Sequence, residues 1–436
     1  MKKNINIGIF GLGTVGKGVV EQLTENREII AKRTGCELTV VKAVTANPDK
    51  DRGLNIQNIQ ISKSPRDIIN DPSIDIIVEL IGGEEPAKWI VLESLKKGKS
   101  VVTANKALLA EHASEIFNAA YQAEGFFGYE ASVAGGIPII RNIKDGFSGD
   151  KIEEISGIIN GTANYILTKM TLENANFDET LKIAQEKGYA ETDPTFDIDG
   201  IDTAHKLAIL MSVAFNGIFD FKQLYIEGIR KIEPMDIEIA DEFGYTIKLL
   251  GKALPNSSGF EGRVHPSLVS KDSILASVNW AFNAVSIRGN YVGPTLAYGA
   301  GAGSHPTASA VVGDIIEISR LLNSGTVKAV SPLSYTGAHI SKQEILPIEI
   351  IQSEYYLRFT VLDEVGVLAK ITSCLGNHKI SIRSMIQKSE THTPGLPVPV
   401  VIFTHTAKES NIQKALKEID GLPFVSCPTK LIRIDE

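Results

Sequence analysis

The polar residues with the clearest chemical potential occur together in the middle of the chain, between Gly188 and Lys206. Asp202 and Lys206 are four residues apart, so on a helix both side chains project from one face. The residues from Leu207 to Phe215 are apolar nearly all round, which is typical of a buried helix. We therefore expect the pair at the mouth of a buried helix, and a solvated surface ion pair is the alternative.

A lysine in such a place suits the reduction of a carbonyl group. Hydride addition to an aldehyde carbon leaves an alkoxide, which needs a proton and a positive neighbour, and Lys206 can supply both. A carboxylate such as Glu191 or Asp202 can hold the ammonium group of an amino-acid substrate. Oxidation through a thioester would need a cysteine nucleophile, but no cysteine lies between Cys36 and Cys374. The sequence therefore predicts carbonyl reduction without acyl formation.

Other lysines and histidines allow weaker predictions. Lys106 follows the predicted strand Ser100–Thr103, at the edge where parallel sheets place ligands, although a lysine that merely ends a strand fits equally. His205 lies about 100° from Lys206 around the helix, so a core position suits it better than catalysis. We predict no zinc, because the remaining histidines considered lack the spacing of metal ligands: His112, His265 and His305.

The N-terminal segment carries a dinucleotide-binding fingerprint. The predicted strand Ile5–Phe10 runs directly into Gly11-Leu-Gly-Thr-Val-Gly16. Gly11 permits the tight turn, Gly13 lets backbone amides reach a pyrophosphate, and Gly16 lets the next helix pack on the strand. That helix, over about Thr14–Ala31, directs its positive end at the phosphates. The pattern predicts a nicotinamide dinucleotide at this turn.

The choice between the two nicotinamide dinucleotides depends on the second strand. It ends in Ala43-Val-Thr-Ala-Asn-Pro-Asp49, with no carboxylate at its tip to hold a ribose 2′-hydroxyl. Lys50 or Arg52 could approach a 2′-phosphate, but neither occupies the place of a dedicated phosphate-binding arginine. We expect NADP to be preferred and NAD to be accepted.

Three regions differ in pattern, and together they predict an α/β protein with added α+β parts. Residues 1–130 alternate short β-branched runs with helical stretches, which indicates a Rossmann-type domain with a parallel sheet. A helix over about 305–322, after Pro306, should return to that domain. Residues 131–340 mix strands and helices as a catalytic and dimerisation domain, and 341–353 is the best linker candidate. Residues 353–436 read strand, helix, strand, strand, helix, strand.

Composition excludes several classes of protein. The 44 basic and 52 acidic residues leave a net charge of −8, which would repel nucleic acid and anionic lipid. No apolar run approaches membrane-spanning length, and the N-terminal apolar stretch is too short and interrupted for a signal peptide. The three cysteines form no CxxC pair, so a disulfide scaffold is improbable and a cytoplasmic location is expected.

Several longer motifs resemble the homoserine dehydrogenase family over essentially the whole chain. The stretch from Ala184 to Lys206, through Asp193-Pro194, Asp197 and Gly200, is similar to the family signature. Two further hallmarks match: Gly157-Ile-Ile-Asn-Gly-Thr-Ala-Asn-Tyr165, and Ala300-Gly-Ala-Gly303 with Pro306-Thr-Ala-Ser-Ala310. The resemblance implies reversible, NAD(P)-dependent reduction of L-aspartate 4-semialdehyde to L-homoserine, in threonine and methionine biosynthesis, by a homodimer or homotetramer.

The resemblance also implies site roles. Lys206 would be the general acid/base, Glu191 and Asp202 would bind the amino-acid end of the substrate, and Lys106 would contact cofactor and substrate. The residues implied to line the cofactor are Phe10, Gly11, Gly13, Thr14, Val15, Gly16, Thr103, Ala104, Lys106, Gly188 and Gly303. A monovalent cation such as sodium would be held mostly by backbone carbonyls, at Glu130, Val133, Gly135 and Ile137. The sequence departs from many members at Thr45-Ala46-Asn47, where they carry a basic residue.

The tail resembles an ACT domain, the βαββαβ module that binds amino acids in biosynthetic enzymes. Tyr355–Leu362 is similar to its first strand, Asp363-Glu-Val-Gly366 to its turn into a helix, and Ser381–Lys388 to its next strand. Val365 stands where the familiar proline would be. The resemblance implies an amino-acid effector such as threonine, with a purely dimerising domain as the alternative.

Two rival functions stay open at this point. One is another NAD(P) oxidoreductase that acts on an amino-acid carbonyl. The other is a cofactor-sensing regulator that has kept the fold and lost catalysis. Retention of Lys106, Glu191, Asp202 and Lys206 argues against the regulator.

Overall fold

The computed structural model describes residues 4–54, 57–326, 331–335, 340–387 and 396–435. Two β-sheets organise this part of the chain: a six-stranded sheet near the N-terminus and an eleven-stranded sheet that continues to the C-terminus. Within the described residues, no helix combines the length and the apolar composition that a membrane span requires.

The N-terminal sheet is parallel throughout. Its elements are β1 (Asn4–Phe10), α1 (Thr14–Glu25), α2 (Arg27–Thr34), β2 (Glu37–Val44), β3 (Gln60–Ser62), α3 (Arg66–Ile69), β4 (Ile76–Glu79), α4 (Ala87–Lys96), β5 (Ser100–Thr103), α5 (Lys106–Glu111), α6 (Ala113–Gln122) and β6 (Phe127–Gly128). The strand order β3-β2-β1-β4-β5-β6 is that of a doubly wound dinucleotide-binding sheet. The predicted Rossmann architecture is therefore confirmed.

The helix after the fingerprint is shorter than predicted. The sequence predicts one helix over Thr14–Ala31, whereas α1 ends at Glu25 and α2 begins at Arg27. Asn26 separates them with φ −96° and ψ 14°, outside helical geometry. Asparagine interrupts helices readily because its side chain competes for backbone hydrogen bonds. The break turns α2 towards β2 and the helix of residues 304–324.

The middle of the chain builds one half of the large sheet. Its elements are α7 (Ile139–Arg141), β7 (Ile152–Ile158), α8 (Gly161–Glu173), α9 (Phe177–Glu186), α10 (Thr195–Ile198), α11 (Ile201–Phe215), β8 (Tyr225–Ile226), α12 (Pro234–Glu242), β9 (Tyr245–Asn256), β10 (Gly259–Ser270), β11 (Phe282–Gly289), β12 (Gly293–Ala300) and α13 (Ser304–Ser324). The α11 helix, where the sequence places Asp202 and Lys206, is buried along nearly its whole length. The helix is buried because its own side chains are apolar on nearly every face.

The α13 helix leaves the large sheet and packs on the N-terminal domain. Its apolar residues Ala308, Val311, Val312, Ile315 and Ile318 share one core cluster with residues of α1, β1 and β2. Gly18 of α1 makes the approach possible, because a Cβ there would lie 2.9 Å from Ser304 Oγ and 3.0 Å from Ala308 Cβ. The N-termini of α1 and α13 therefore lie side by side.

The tail completes the large sheet. Its elements are β13 (Gln352–Leu362), α14 (Val367–Asn377), β14 (Ile382–Gln387), β15 (Pro397–Thr404), β16 (Ala407–Lys408), α15 (Glu409–Asp420) and β17 (Val425–Asp435). Apart from the two-residue strand β16, this is the predicted βαββαβ order, and Lys388, the predicted end of one strand, lies outside the described residues. The last strand, β17, pairs with β13 on one side and runs parallel to β10 on the other.

Buried charges reinforce the junction between the tail and the middle of the chain. The Arg358 guanidinium donates to both carboxylate oxygens of Asp236 on α12, at 2.7 and 3.3 Å. The linker candidate is also attached: Ser341 O accepts from Ile218 N, and Leu346 N donates to Phe260 O. The segment 341–353 is thus held against the middle region by backbone hydrogen bonds.

Candidate active site

One buried carboxylate, Asp202, lies between two lysine ammonium groups. Lys206 Nζ donates to Asp202 Oδ2 at 2.7 Å, and Lys106 Nζ forms an ion pair with Asp202 Oδ1. Asp202 is 1% exposed and Lys206 is 9% exposed, whereas 36% of the Lys106 side chain is exposed. The alternative of a solvated surface ion pair is therefore excluded. The structure unites residues that are 96 positions apart in sequence.

Separate elements bring these groups together. Asp202 and Lys206 occupy successive turns of α11, and Lys206 Nζ also donates to Ile159 O at 2.7 Å, just beyond β7. Lys106 is the first residue of α5, after the carboxyl end of β5. Asn105 caps α5: its Oδ1 accepts from Leu108 N, and its Nδ2 donates to Gly83 O at 2.6 Å. These contacts aim the start of α5 at α11.

Asn160 is a site residue that the sequence analysis left without a role. Its Nδ2 donates to Asp202 Oδ2 at 2.8 Å and to Asp197 Oδ1 at 2.7 Å. Its Oδ1 accepts from Ala163 N, so the same side chain caps α8. The signal was available in the Gly157–Tyr165 motif, which contains Asn160, but only the fold shows what the amide contacts.

The electrostatics of the cluster follow from burial and from the two lysines. Burial acts to raise the pKa of Asp202, but the charges of Lys206 and Lys106 outweigh it and hold the pKa below its ordinary value. Burial lowers the pKa of Lys206, although Asp202 opposes that shift. Burial raises the pKa of Asp197. Lys206 is therefore a better proton donor than an exposed lysine.

The fingerprint turn has the shape that a dinucleotide needs. Gly11 has φ +94°, and a Cβ there would lie 2.6 Å from Leu80 O. A Cβ on Gly16 would lie 2.1 Å from Gly11 O, whereas nothing stands within 4 Å of the Cβ position of Gly13. Ser304 Oγ donates to Thr14 O at 2.6 Å and thus ties the N-terminus of α13 to that of α1. Open space lies where a pyrophosphate would approach.

Arg52 lies closer to the fingerprint than its sequence position indicates. Its guanidinium donates to Leu12 O at 3.3 Å and to Thr45 Oγ1 at 3.0 Å, and it also contacts Asn47 O at 2.5 Å. Thr45 directly follows β2, so the positive charge lies at the strand tip where the sequence lacks a carboxylate. A role of Arg52 towards a 2′-phosphate stays a prediction.

The carboxyl ends of β4 and β5 lie at the same edge of the N-terminal sheet as the fingerprint turn. Thr103 is buried, and its Oγ1 donates to Glu79 Oε2 at 2.7 Å. Glu79 Oε1 accepts from Ile81 N, so this buried carboxylate shapes the loop after β4. Ala104 follows Thr103 at the same edge, between the strand and Lys106. Glu79 carried no signal in the sequence beyond its position at a strand end.

Comparison with known proteins decides the family. Residues 11–130 match the model described as "Homoserine dehydrogenase, NAD binding domain", 138–316 match "Homoserine dehydrogenase", and 355–424 match "ACT domain". The chain is 44% identical over 436 residues to a homoserine dehydrogenase of Pseudomonas aeruginosa, covering 100% of this chain and 99% of that one. The chain belongs to the homoserine dehydrogenase family.

Other family members agree in sequence and in structure. The homoserine dehydrogenase of Bacillus subtilis is 37% identical, with 99% of each chain covered. The crystal structure of a homoserine dehydrogenase from Thiobacillus denitrificans superposes with a TM-score of 0.94 at 44% identity, covering 100% of this chain and 99% of that one. The resemblance drawn from the motifs is thereby confirmed, including the ACT domain of the tail.

Glu191 does not join the Asp202 cluster, despite its place in the family signature. Its side chain is exposed, and its backbone carbonyl accepts from Gln185 Nε2 at 3.0 Å. Gly188, with φ +74°, is exposed in the same loop after α9, and Gly303 is exposed before α13. His205 is buried, with its ring 4.2 Å from that of Phe221, as expected for a core position.

The loop proposed for a cation is tightly packed. Both carboxylate oxygens of Glu130 accept from backbone amides, those of Ile140 and Arg141, each at 2.8 Å. Gly135 has φ +50°, and a Cβ there would lie 2.5 Å from Gly301 O. A cation would therefore be held by main-chain oxygens, as the family implies for Glu130, Val133, Gly135 and Ile137. Ile137 O already accepts from Ile139 N, but a carbonyl keeps a second lone pair, so the donor set fits a hard cation.

Proposed function

We propose that this chain reduces L-aspartate 4-semialdehyde reversibly to L-homoserine, with a nicotinamide dinucleotide as the hydride donor. The observation that carries the proposal is the Lys106–Asp202–Lys206 cluster, which lies beside the carboxyl edge of the dinucleotide-binding sheet. Relatives named as homoserine dehydrogenases support the substrate. The bound dinucleotide would supply hydride to the aldehyde carbon.

Each residue of the cluster has a distinct task in this proposal. Lys206 donates a proton to the oxygen that becomes the hydroxyl, and it takes the proton back in the reverse reaction. Lys106, the more exposed lysine, adds positive charge where the alkoxide develops. Asp202 keeps both ammonium groups in place, because each of its carboxylate oxygens already contacts one of them.

The binding of the amino-acid end of the substrate stays a prediction. From the sequence we assigned it to Glu191 and Asp202. The lysine contacts of Asp202 favour a positioning role for this residue, whereas Glu191 has an exposed carboxylate that is available for an ammonium group. The Glu191 assignment therefore carries most of the substrate-binding proposal.

We further propose that NADP is preferred and NAD is accepted. The Arg52 guanidinium at the tip of β2 supports this choice, because it could contact a 2′-phosphate there. A hyperthermophilic archaeal homoserine dehydrogenase in complex with NADPH has a related fold, with a TM-score of 0.61 and 29% identity over 72% of this chain and 97% of that one.

We also propose a monovalent cation such as sodium in the loop from Glu130 to Ile137. The cation would stabilise the contact between this loop and the neighbouring residue Gly301.

The tail suggests control by an amino acid, and we propose L-threonine as the effector. The turn from Asp363 to Gly366 lines a cavity of about 250 Å³ with Gln387 and Val398. Gly366 precedes the first helix of the ACT domain, whose N-terminal amides suit a carboxylate. We also propose that the chain forms a homodimer or homotetramer and is located in the reducing cytoplasm.

An absorbance assay tests the proposed activity. The full chain is mixed with NADPH and aspartate semialdehyde, and the loss of NADPH absorbance is followed together with homoserine formation. We expect turnover to homoserine. An oxidoreductase of other specificity would consume NADPH only with another amino-acid carbonyl, and a cofactor-sensing regulator would bind NADPH without turnover with either substrate.

A further inference from the structure

A second group of chemically reactive side chains lies in the ACT domain, on the helices that cover its sheet. Cys374 lies in the last turn of α14, His378 directly follows that helix, and Glu418 faces them from α15. One ligand atom from each residue lies within 4.8 Å of the others. His378 Nε2 is 2.9 Å from Glu418 Oε2. No residue of the proposed active site takes part.

The three side chains differ in depth. Cys374 is buried, and its Sγ donates to Ala415 O at 3.7 Å. His378 is half-buried, and the Glu418 side chain is 56% exposed. The thiol is thus the innermost of the three groups, and the imidazole and the carboxylate lie nearer to solvent.

We propose that Cys374, His378 and Glu418 form a binding site for a divalent transition metal of the zinc type. Thiolate and imidazole are the ligands that zinc prefers, and a carboxylate oxygen is its common third partner. Magnesium and calcium need several oxygen ligands, which this group does not offer. Water would occupy the fourth position, so the site is weaker than a four-ligand structural one.

Metal binding requires the Cys374 thiol to lose its proton. Burial raises the pKa of the Cys374 thiol to about 11, so the metal-free residue is protonated at neutral pH. Formation of the metal–sulfur bond releases that proton to solvent, and His378 binds as neutral imidazole. The ion would then join α14 to α15 and stabilise the folded ACT domain by mass action. This proposal runs against the expectation from sequence that no zinc is bound.

A cobalt titration of the full chain tests the site. Co²⁺ bound to a thiolate has a charge-transfer band that carboxylate or carbonyl sites lack. We expect this band in the wild type and its loss in Cys374→Ser. His378→Ala and Glu418→Gln should each weaken cobalt binding by at least about tenfold. Zinc should displace cobalt and raise the melting temperature of the wild type but not that of Cys374→Ser.

Cys427→Ser is the matched control, because Cys427 is the exposed free thiol of the chain. It should keep both the band and the response to zinc. Retention of the band in Cys374→Ser, or its loss in Cys427→Ser, would overturn the proposal. If Cys374→Ser folds poorly, His378→Ala and Glu418→Gln test the proposal in its place. Unchanged cobalt affinity in both variants would also overturn the proposal. Turnover of NADPH should be unaffected in every variant and reports an intact fold.

Discussion

At the scale of single residues, the proposed chemistry depends on two ammonium groups that share one buried carboxylate. An isolated buried charge is costly, and the cluster avoids that cost by pairing Asp202 with both Lys106 and Lys206. The amide of Asn160 supplies a further hydrogen bond to Asp202. Asp202 therefore holds the Lys206 ammonium group in one position and opposes the loss of its proton. This is the state that an acid for carbonyl reduction requires.

Replacement of Lys206 tests its role as the proton donor. We expect Lys206→Ala to lower kcat by about two to four orders of magnitude, because the alkoxide loses its acid, while cofactor binding stays near normal. Steady-state kinetics and NADPH titration measure the two quantities. Lys222→Ala removes an exposed lysine paired with Glu111 and serves as the control. Full kcat in Lys206→Ala would end the assignment.

The role of Lys206 as acid and base predicts that the rates of aldehyde reduction and homoserine oxidation depend on pH in opposite ways. Burial lowers the pKa of Lys206 below its ordinary value. Reduction needs the protonated amine, so its rate should fall as pH rises through that pKa. Oxidation of homoserine needs the neutral amine and should rise over the same range. Identical pH profiles in both directions would contradict a single acid/base at this position.

Arg52 and Ala46 provide a test of cofactor choice. We expect Arg52→Ala to raise the KM for NADPH and to leave that for NADH nearly unchanged, because only NADPH has a 2′-phosphate. Ala46→Asp should shift kcat/KM towards NADH by repulsion of that phosphate. Lys50→Ala is the control for a general loss of positive charge. An unchanged ratio in both Arg52→Ala and Ala46→Asp would place the 2′ pocket elsewhere.

At the scale of elements, α13 joins the dinucleotide-binding domain to the Glu130 loop. Asp314 is buried on α13 and accepts from Glu130 N at 2.9 Å and from Arg141 Nη2 at 3.2 Å. A Cβ on Gly128 would lie 2.7 Å from Asp314 Cβ, so β6 and α13 are in close contact. A single carboxyl therefore connects α13, the loop and the end of α7. Its ionisation should affect the stability of this junction.

Asp314→Asn should change how stability depends on pH. Burial raises the pKa of Asp314 to about 7. Between pH 4 and 7 the unfolded carboxyl ionises while the folded one stays protonated, so this group lowers the free energy of unfolding as pH rises. The slope is at most about 1.4 kcal/mol per pH unit. Denaturant titrations should show it in the wild type and in the exposed control Asp241→Asn, but not in Asp314→Asn.

At the scale of the whole molecule, the ACT domain continues the sheet of the middle region. The parallel pairing of β17 with β10, at Ser267–Val269, makes one sheet of two domains. The regulatory interpretation of the tail predicts that a chain that ends near Ser353 stays active but loses its response to threonine. Removal of the tail would expose the edge of β10 and take away Arg358, the buried partner of Asp236 on α12. We therefore now expect such a chain to be unstable.

A point variant is the better test of the proposed effector. We predict that L-threonine inhibits the full enzyme, and that Gly366→Asp blunts inhibition by repelling the carboxylate of the effector. Gly366 has φ +89°, a conformation that asparagine tolerates about as well as aspartate, so Gly366→Asn controls for backbone strain. The test is an L-threonine inhibition curve for the wild type, Gly366→Asp and Gly366→Asn. Equal inhibition of wild type and Gly366→Asp would indicate that threonine acts elsewhere.

The sequence by itself determined the features that depend on local spacing. The fingerprint from Gly11 to Gly16, the shared helix face of Asp202 and Lys206, and the βαββαβ order of the tail follow from periods of a few residues. Helices and strands repeat at such periods, and the chain reveals them without knowledge of packing. The family motifs are local patterns of the same kind, and through them the sequence also predicted the activity.

Only the tertiary structure decided which distant residues meet. Nothing near Lys106 in sequence indicates that it pairs with Asp202, or that Arg52 turns back to Leu12. Likewise, Glu418 reaches Cys374 only because two helices pack side by side. Such contacts depend on how layers of the fold stack, which is a property of the whole buried core and not of local spacing. The continuous sheet through β10 and β17 was beyond prediction for the same reason.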